Sequence, residues 1–124
     1  MALYAALLYY PEDSYWTSPE EEQFSAGYAE FGQAAGAAGV LRGGEALHPA
    51  TMATTITVDG GKGGKVVTSD GPYAEAKEIL GGFYVIEAAD LDEATRWAAQ
   101  PPAAWRGKVE LRPVVPMSGG AAQS

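Results

Sequence analysis

The chain has 124 residues, 47% of them hydrophobic, with 16 acidic and 8 basic side chains and a formal charge of −8. That length and apolar content suit one domain with one core and exclude wholesale disorder, while an acidic surface without a basic stripe argues against direct nucleic-acid binding. The absence of cysteine excludes disulfides, thiolate metal sites and cysteine nucleophiles, and fits a reducing, cytoplasmic setting.

The first ten residues, MALYAALLYY, are apolar but lack a basic flank, and Pro11-Glu12-Asp13 stops them far short of a bilayer span. They read as a buried strand over about 3–10, with β-favouring tyrosines at its end. A helix follows. Ser18 caps it, Pro19 suits its first position, and Glu21 stands three residues after Ser18 as in a capping box. Phe24, Tyr28, Phe31 and Ala35 recur at helical spacing and form its core stripe. Gly32 and Gly36 fall on one side, where close packing against a neighbour would offset their cost of about 1 kcal/mol each. Gly39 serves as the C-terminal cap.

VLRGGEAL reads as a second strand, interrupted at Gly43-Gly44 by a bulge or a close approach. His48 before Pro49 marks a turn. MATTITV and KVVTS are two arms of a hairpin around a glycine-rich loop. Between the hairpin and the apolar strand GFYVIEA lies SDGPYAEAKEILGG, in which Asp70, Gly71 and Pro72 make a tight turn and AEAKE forms a single helical turn ended by Gly81-Gly82. Asp90 with Glu93 repeats the capping-box logic at a second helix, with Leu91, Ala94 and Ala98 as its apolar stripe and Pro101-Pro102 as its end. KVELRPVV is the last strand. Residues 1–116 thus form one domain, and 117–124 read as a disordered tail.

Strand–helix–strand, hairpin, strand–helix–strand predicts an α+β fold of the ferredoxin-like type: an antiparallel sheet with both helices on one face and an inserted β-hairpin. The other face, carrying alternate side chains such as Tyr9, Phe83 and Val85 or their neighbours, is left bare. That predicts a homodimer closed by packing the two sheets together.

Several familiar chemistries fail on spacing. GGKGGK is not a phosphate loop, because Val66 in a strand follows Gly64-Lys65 where a serine or threonine and a helix are required. His48 is the single histidine, which rules out paired-histidine metal sites, and no G-x-S-x-G occurs. His48 can still act as a general base or simply pack on a strand end. Asp70 either caps its own turn or flanks a cleft with Glu78, lined by Tyr73 and Tyr84. Two carboxylates in one partly dry site would divide acid and base roles between them.

The run VTSDGPYAEAKEILGGFYVIEAADLDEATRWAA resembles the DGPF-domain branch of the YCII-related (YciI-like) proteins, whose pattern is roughly D-G-P-F-x-E-x-K-E-x-L-G-G-F/Y. Asp70, Gly71, Pro72, Glu75, Lys77, Glu78, Leu80, Gly81, Gly82 and Phe83 match it, and Tyr73 stands in place of the phenylalanine. AAGVLRGGEALHPATMATTITV is also similar to a stretch of that family. The resemblance implies a dimeric α+β barrel. In YciI-like relatives a histidine of the first helix pairs with an aspartate in a dimer cleft, but residues 21–38 here contain no histidine.

Two functions follow as expectations. The first is a cofactor-free, metal-free small-molecule binder or acid–base enzyme, with His48, Asp70 and Glu78 as catalytic groups and Gly71, Pro72, Tyr73, Lys77 and Tyr84 as substrate contacts. The second is a non-catalytic dimeric regulatory module working through a protein partner. The resemblance links such a module to extracytoplasmic-function sigma factors.

Overall fold

The structure is a computed structural model that describes residues 1–11, 21–72 and 77–116, with only the backbone of 21–25. The expected Ser18-Pro19 helix start, Tyr73 and the C-terminal tail lie outside the described residues.

The fold is α+β. Strands β1 (Ala2–Pro11), β2 (Leu41–Ala46), β5 (Glu78–Ala88) and β6 (Lys108–Pro113) form one sheet in the order β2-β5-β1-β6, every neighbouring pair antiparallel. Strands β3 (Thr54–Asp59) and β4 (Lys65–Asp70) pair separately as a two-stranded ribbon. Helices α1 (Glu21–Ala37), α2 (Leu91–Ala98) and α3 (Ala103–Arg106) complete the chain. This order fits a ferredoxin-like arrangement with a hairpin inserted between its second and third strands.

Side chains alternate across β1. Tyr4, Ala6, Leu8 and Tyr10 are buried under the helices, while Leu3, Ala5, Leu7 and Tyr9 point the other way and are half-buried. All three helices reach the same face of the sheet. Ala94 of α2 meets Tyr4, Ile86 and Ala88, and Ala103 of α3 meets Leu8 and Tyr10. From α1, Phe31 and Ala35 pack with Val40, against Tyr84 and Trp97. Phe31 lies 4.7 Å from the Tyr84 ring at a tilt of 58° and 6.5 Å from Trp97, edge-on. Such pairs add about 0.5–1.5 kcal/mol each beyond the area they bury.

Helix ends follow their residues. Gly39, with φ of 75°, lets Val40 N–H return to Ala35 O at 3.1 Å and Gly39 N–H to Gly36 O at 3.1 Å, which closes the carbonyl end of α1. Asp90 accepts from Glu93 N–H at 2.9 Å, and Glu93 accepts in return from Ala89 N–H at 2.8 Å. The return bond falls one residue earlier than a capping box places it.

Four expectations need correction. Gly32 and Gly36 meet nothing within 4 Å, whereas a Cβ on Gly27 would lie 2.7 Å from Cγ of buried Pro102. The close helix contact is therefore made one turn earlier than the glycine pair implies. In α2 the buried stripe is Ala94 and Ala98 with half-buried Trp97, and Leu91 is exposed. Pro101-Pro102 do not simply end a helix, because both are buried and open the short α3, where Pro102 O accepts from Arg106 N–H at 2.8 Å. While most of the expected turn at 74–78 lies outside the described residues, Gly81-Gly82 lie inside β5, which starts at Glu78, and so do not terminate a helix. They form a bulge instead: Leu8 pairs with Gly82 and Tyr9 with Leu80, leaving Gly81 as the extra residue. The expected interruption of β2 is present, with a register shift between Leu41 and Gly43. Gly44 there has φ of 154°, and a Cβ would lie 2.6 Å from Phe83 O.

Candidate functional site

The register assigns the open face of the main sheet. On β5, Phe83 stands opposite Leu7, Val85 opposite Ala5 and Leu80 opposite Tyr9, so these six side chains share that face. On β6, Lys108, Glu110 and Arg112 stand opposite Tyr9, Leu7 and Ala5 and share it too. An apolar centre is therefore fringed by charge. Arg42 Nε donates to Glu87 Oε1 at 3.0 Å, Lys108 pairs with Glu78, and Arg112 Nε lies 3.5 Å from Glu110 Oε2. All three pairs are partly or largely solvated, so each contributes about 0–1 kcal/mol to stability. The fringe was partly readable in the sequence, because Lys108, Glu110 and Arg112 alternate along the last strand. Arg42 and Glu87 are 45 residues apart and carry no local signal.

The segments that carry His48, Gly71 and Glu78 are linked through the backbone near one end of this sheet. Leu47 N–H donates to Gly81 O at 2.9 Å, which lays the His48 turn beside the start of β5. The 3₁₀ turn Ala50–Met52 follows against the same strand. Gly71 N–H then donates to Ala53 O at 2.7 Å, and Thr55 Oγ1 donates to Gly71 O at 2.9 Å. These two bonds tie the base of the ribbon to the end of that turn. Gly71 has φ of 95°, a value that side chains with a Cβ rarely adopt. Pro11 of β1 pairs with Glu78 at the same sheet end.

The side chains are not equivalent. His48, Asp70, Pro72 and Lys77 are exposed. Asp70 ends β4 opposite Thr54, and Glu78 is half-buried and engaged by Lys108. Tyr84 lies on the helix side of the sheet, where burial raises its hydroxyl pKa above the ordinary 10.0. Among the described residues no group of three His, Cys, Asp or Glu side chains could hold a metal ion, and no helix is long and apolar enough to cross a membrane.

A separate groove of about 390 Å³ runs between α2, α3 and β6, floored by Val109 and Leu111 with Leu91 and Thr95 at its lip. The Thr95 hydroxyl is already committed to Leu91 O at 2.8 Å. The groove therefore has the size of a ligand site without its convergent polar groups.

Residues 2–118 match the YCII-related domain. The chain belongs to the YCII-related family. It is 36% identical over 119 residues to an uncharacterized protein of Rhizobium meliloti (strain 1021), an alignment covering 90% of this chain and 91% of that protein.

Proposed function

We propose that this YCII-related protein belongs to the DGPF branch of its family and works as a two-fold homodimer, the open sheet faces packed together, binding a small molecule at the polar end of the seam. The observation that supports this is the open face itself: Leu7, Phe83 and Val85 form an apolar centre, Glu78 stands at one end of it, and the residue before His48 is bonded to β5 there. Packing that face against a copy removes apolar area from water and lowers the dielectric around the bordering groups. In this reading His48, Asp70 and Glu78 supply acid–base chemistry without a cofactor. Gly71 and Pro72 fix the turn that carries Asp70, and Lys77 and Tyr73 contact the ligand. Tyr84 contributes through packing.

The test is a thermal-shift screen of the parent and the Asp70→Asn variant against a library of metabolites. A compound at 100 times its Kd stabilises the parent by about 2.7 kcal/mol, which reads as several degrees. The expected result is a compound that shifts the parent and not the variant, whose own melting temperature stays at the parent value. A parent that no compound shifts removes the small-molecule reading and leaves a dimeric regulatory module acting through protein contacts.

A further inference from the structure

The ribbon of β3 and β4 has two unlike faces. Directly opposed residues of an antiparallel pair share a face. Ile56, Val58 and Val66 therefore lie together, with Thr68, Thr54 and Asp70 continuing the same face toward the base. Thr55, Thr57, Asp59, Lys65, Val67 and Ser69 occupy the other. On the apolar face Ile56 is 63%, Val58 46% and Val66 63% exposed. None of the described residues buries them, and a two-stranded ribbon in water is marginal unless one face is packed.

We infer that this ribbon is an arm that lays its Ile56–Val58–Val66 face on a second copy of the chain, an inference that rests on the dimer proposed above. Area argues for that occupant. Four strands at about 4.8 Å spacing and about six residues at 3.4 Å give the open sheet a flat area of roughly 400 Å². A stable interface takes about 800 Å² of accessible surface from each partner. The ribbon adds roughly half as much flat area again, which brings the contact toward what a stable dimer needs. Charge argues the same way. The ribbon tip carries Lys62 and Lys65 against Asp59, a locally positive end on a chain of formal charge −8, so an acidic second copy attracts it. Symmetry completes the case. One chain presents both an apolar sheet face and an apolar arm, and a two-fold axis satisfies both at once. Asp70 shares the arm's docking face, so the arm sets the candidate acid–base group on the seam, where surface from the partner closes the site.

The experiment is sedimentation equilibrium on the parent, on Ile56→Asp/Val66→Asp, and on Thr57→Asp as the opposite-face control, each with circular dichroism to establish folding. The expected result is a dimeric parent and control, and a folded double variant whose dimer Kd rises at least tenfold. A folded double variant that dimerises as tightly as the parent overturns the arm and leaves the face-to-face dimer standing. A tenfold loss in the Thr57→Asp control as well also overturns the arm, because the effect would then not belong to one face. A monomeric parent at micromolar concentration overturns the arm and the dimer together. If the double variant does not fold, Val58→Thr and Val66→Thr, which keep the side-chain shape, are read by the same criterion.

Discussion

Two glycines in one helix should respond to alanine with opposite signs. Alanine in place of a mid-helix glycine stabilises by about 1 kcal/mol, because less backbone entropy is lost on folding. Gly32 meets nothing within 4 Å, so Gly32→Ala should keep that gain. Gly27 lies one and a half turns earlier in α1, and its new methyl would stand 2.7 Å from Pro102 Cγ, against the 3.4–4 Å of ordinary contact. The proline ring has little room to yield. It is fully buried, and its carbonyl holds the first bonds of α3 through Trp105 N–H at 3.1 Å and Arg106 N–H at 2.8 Å. Overpacking of this kind costs about 1–3 kcal/mol, which offsets or exceeds the propensity gain of about 1 kcal/mol, so Gly27→Ala should lose up to about 2 kcal/mol net. Denaturant titrations of parent and both variants give the sign directly. In melting temperature, 1 kcal/mol is about 4 °C for a chain of this length. Gly32→Ala should melt above the parent and Gly27→Ala below it. A Gly27→Ala protein stabilised as much as Gly32→Ala would refute the contact between α1 and the Pro101-Pro102 corner.

Two tyrosines give further tests. The Tyr28 hydroxyl is buried and has no hydrogen-bond partner among the described residues, so Tyr28→Phe should raise stability by about 1 kcal/mol; a clear loss would mean that the hydroxyl is satisfied. Tyr84 has a folded-state pKa raised above 10.0 by burial. Below 10.0 folded and unfolded chains both keep that proton and stability is unaffected, but as pH rises through 10.0 the unfolded chain ionises first and stability falls until the folded pKa is passed. Comparing parent and Tyr84→Phe between pH 8 and 11 should show the parent losing more stability at the alkaline end, and parallel curves would contradict a buried hydroxyl.

Local signals in the sequence identified the strands and helices where periodicity was strong. The alternation in β1, the Phe31–Ala35 stripe and the Asp90–Glu93 cap each depend on residues a few positions apart. The features that escaped depend on partners distant in the chain. Which glycine of α1 meets a neighbour is decided by Pro102, about 75 residues later, and helix propensity treats all three glycines alike. The four residues of α3 are too few to show a helical period, so the two prolines read only as a stop signal. The glycine pair at the head of β5 looked like a helix terminator, although register against β1 makes it a bulge. Tyr84 illustrates the same limit for the site. In β5 a shift of one residue moves a side chain to the opposite face, and the bulge at Gly81 makes parity counted from the turn unreliable. Phe83 is thus on the open face and Tyr84 under the helices.

The Asp70-Gly71-Pro72 turn stands where these arguments meet. The chain must leave a ribbon whose apolar face no described residue buries and enter the sheet as the inner strand β5. Gly71 allows the reversal through its positive φ, and its amide and carbonyl are both used, by Ala53 and by Thr55. Both Gly71 bonds therefore fix the direction of the chain where it leaves the ribbon. A glycine held by two such bonds is more than a plain connector needs, since a longer and looser loop would cost only about 0.6 kcal/mol per doubling of length. It makes physical sense if the direction of the ribbon matters. A ribbon held at a set angle, with one apolar face and Asp70 at its root, is pre-organised to meet a surface, and pre-organisation reduces the entropy lost when that surface arrives. The rigidity of the turn and the exposure of the ribbon are thus two consequences of one requirement, and a Gly71→Val variant, which strains the turn but leaves Ile56, Val58 and Val66 in place, should weaken the dimer in sedimentation equilibrium while the isolated fold keeps its circular dichroism.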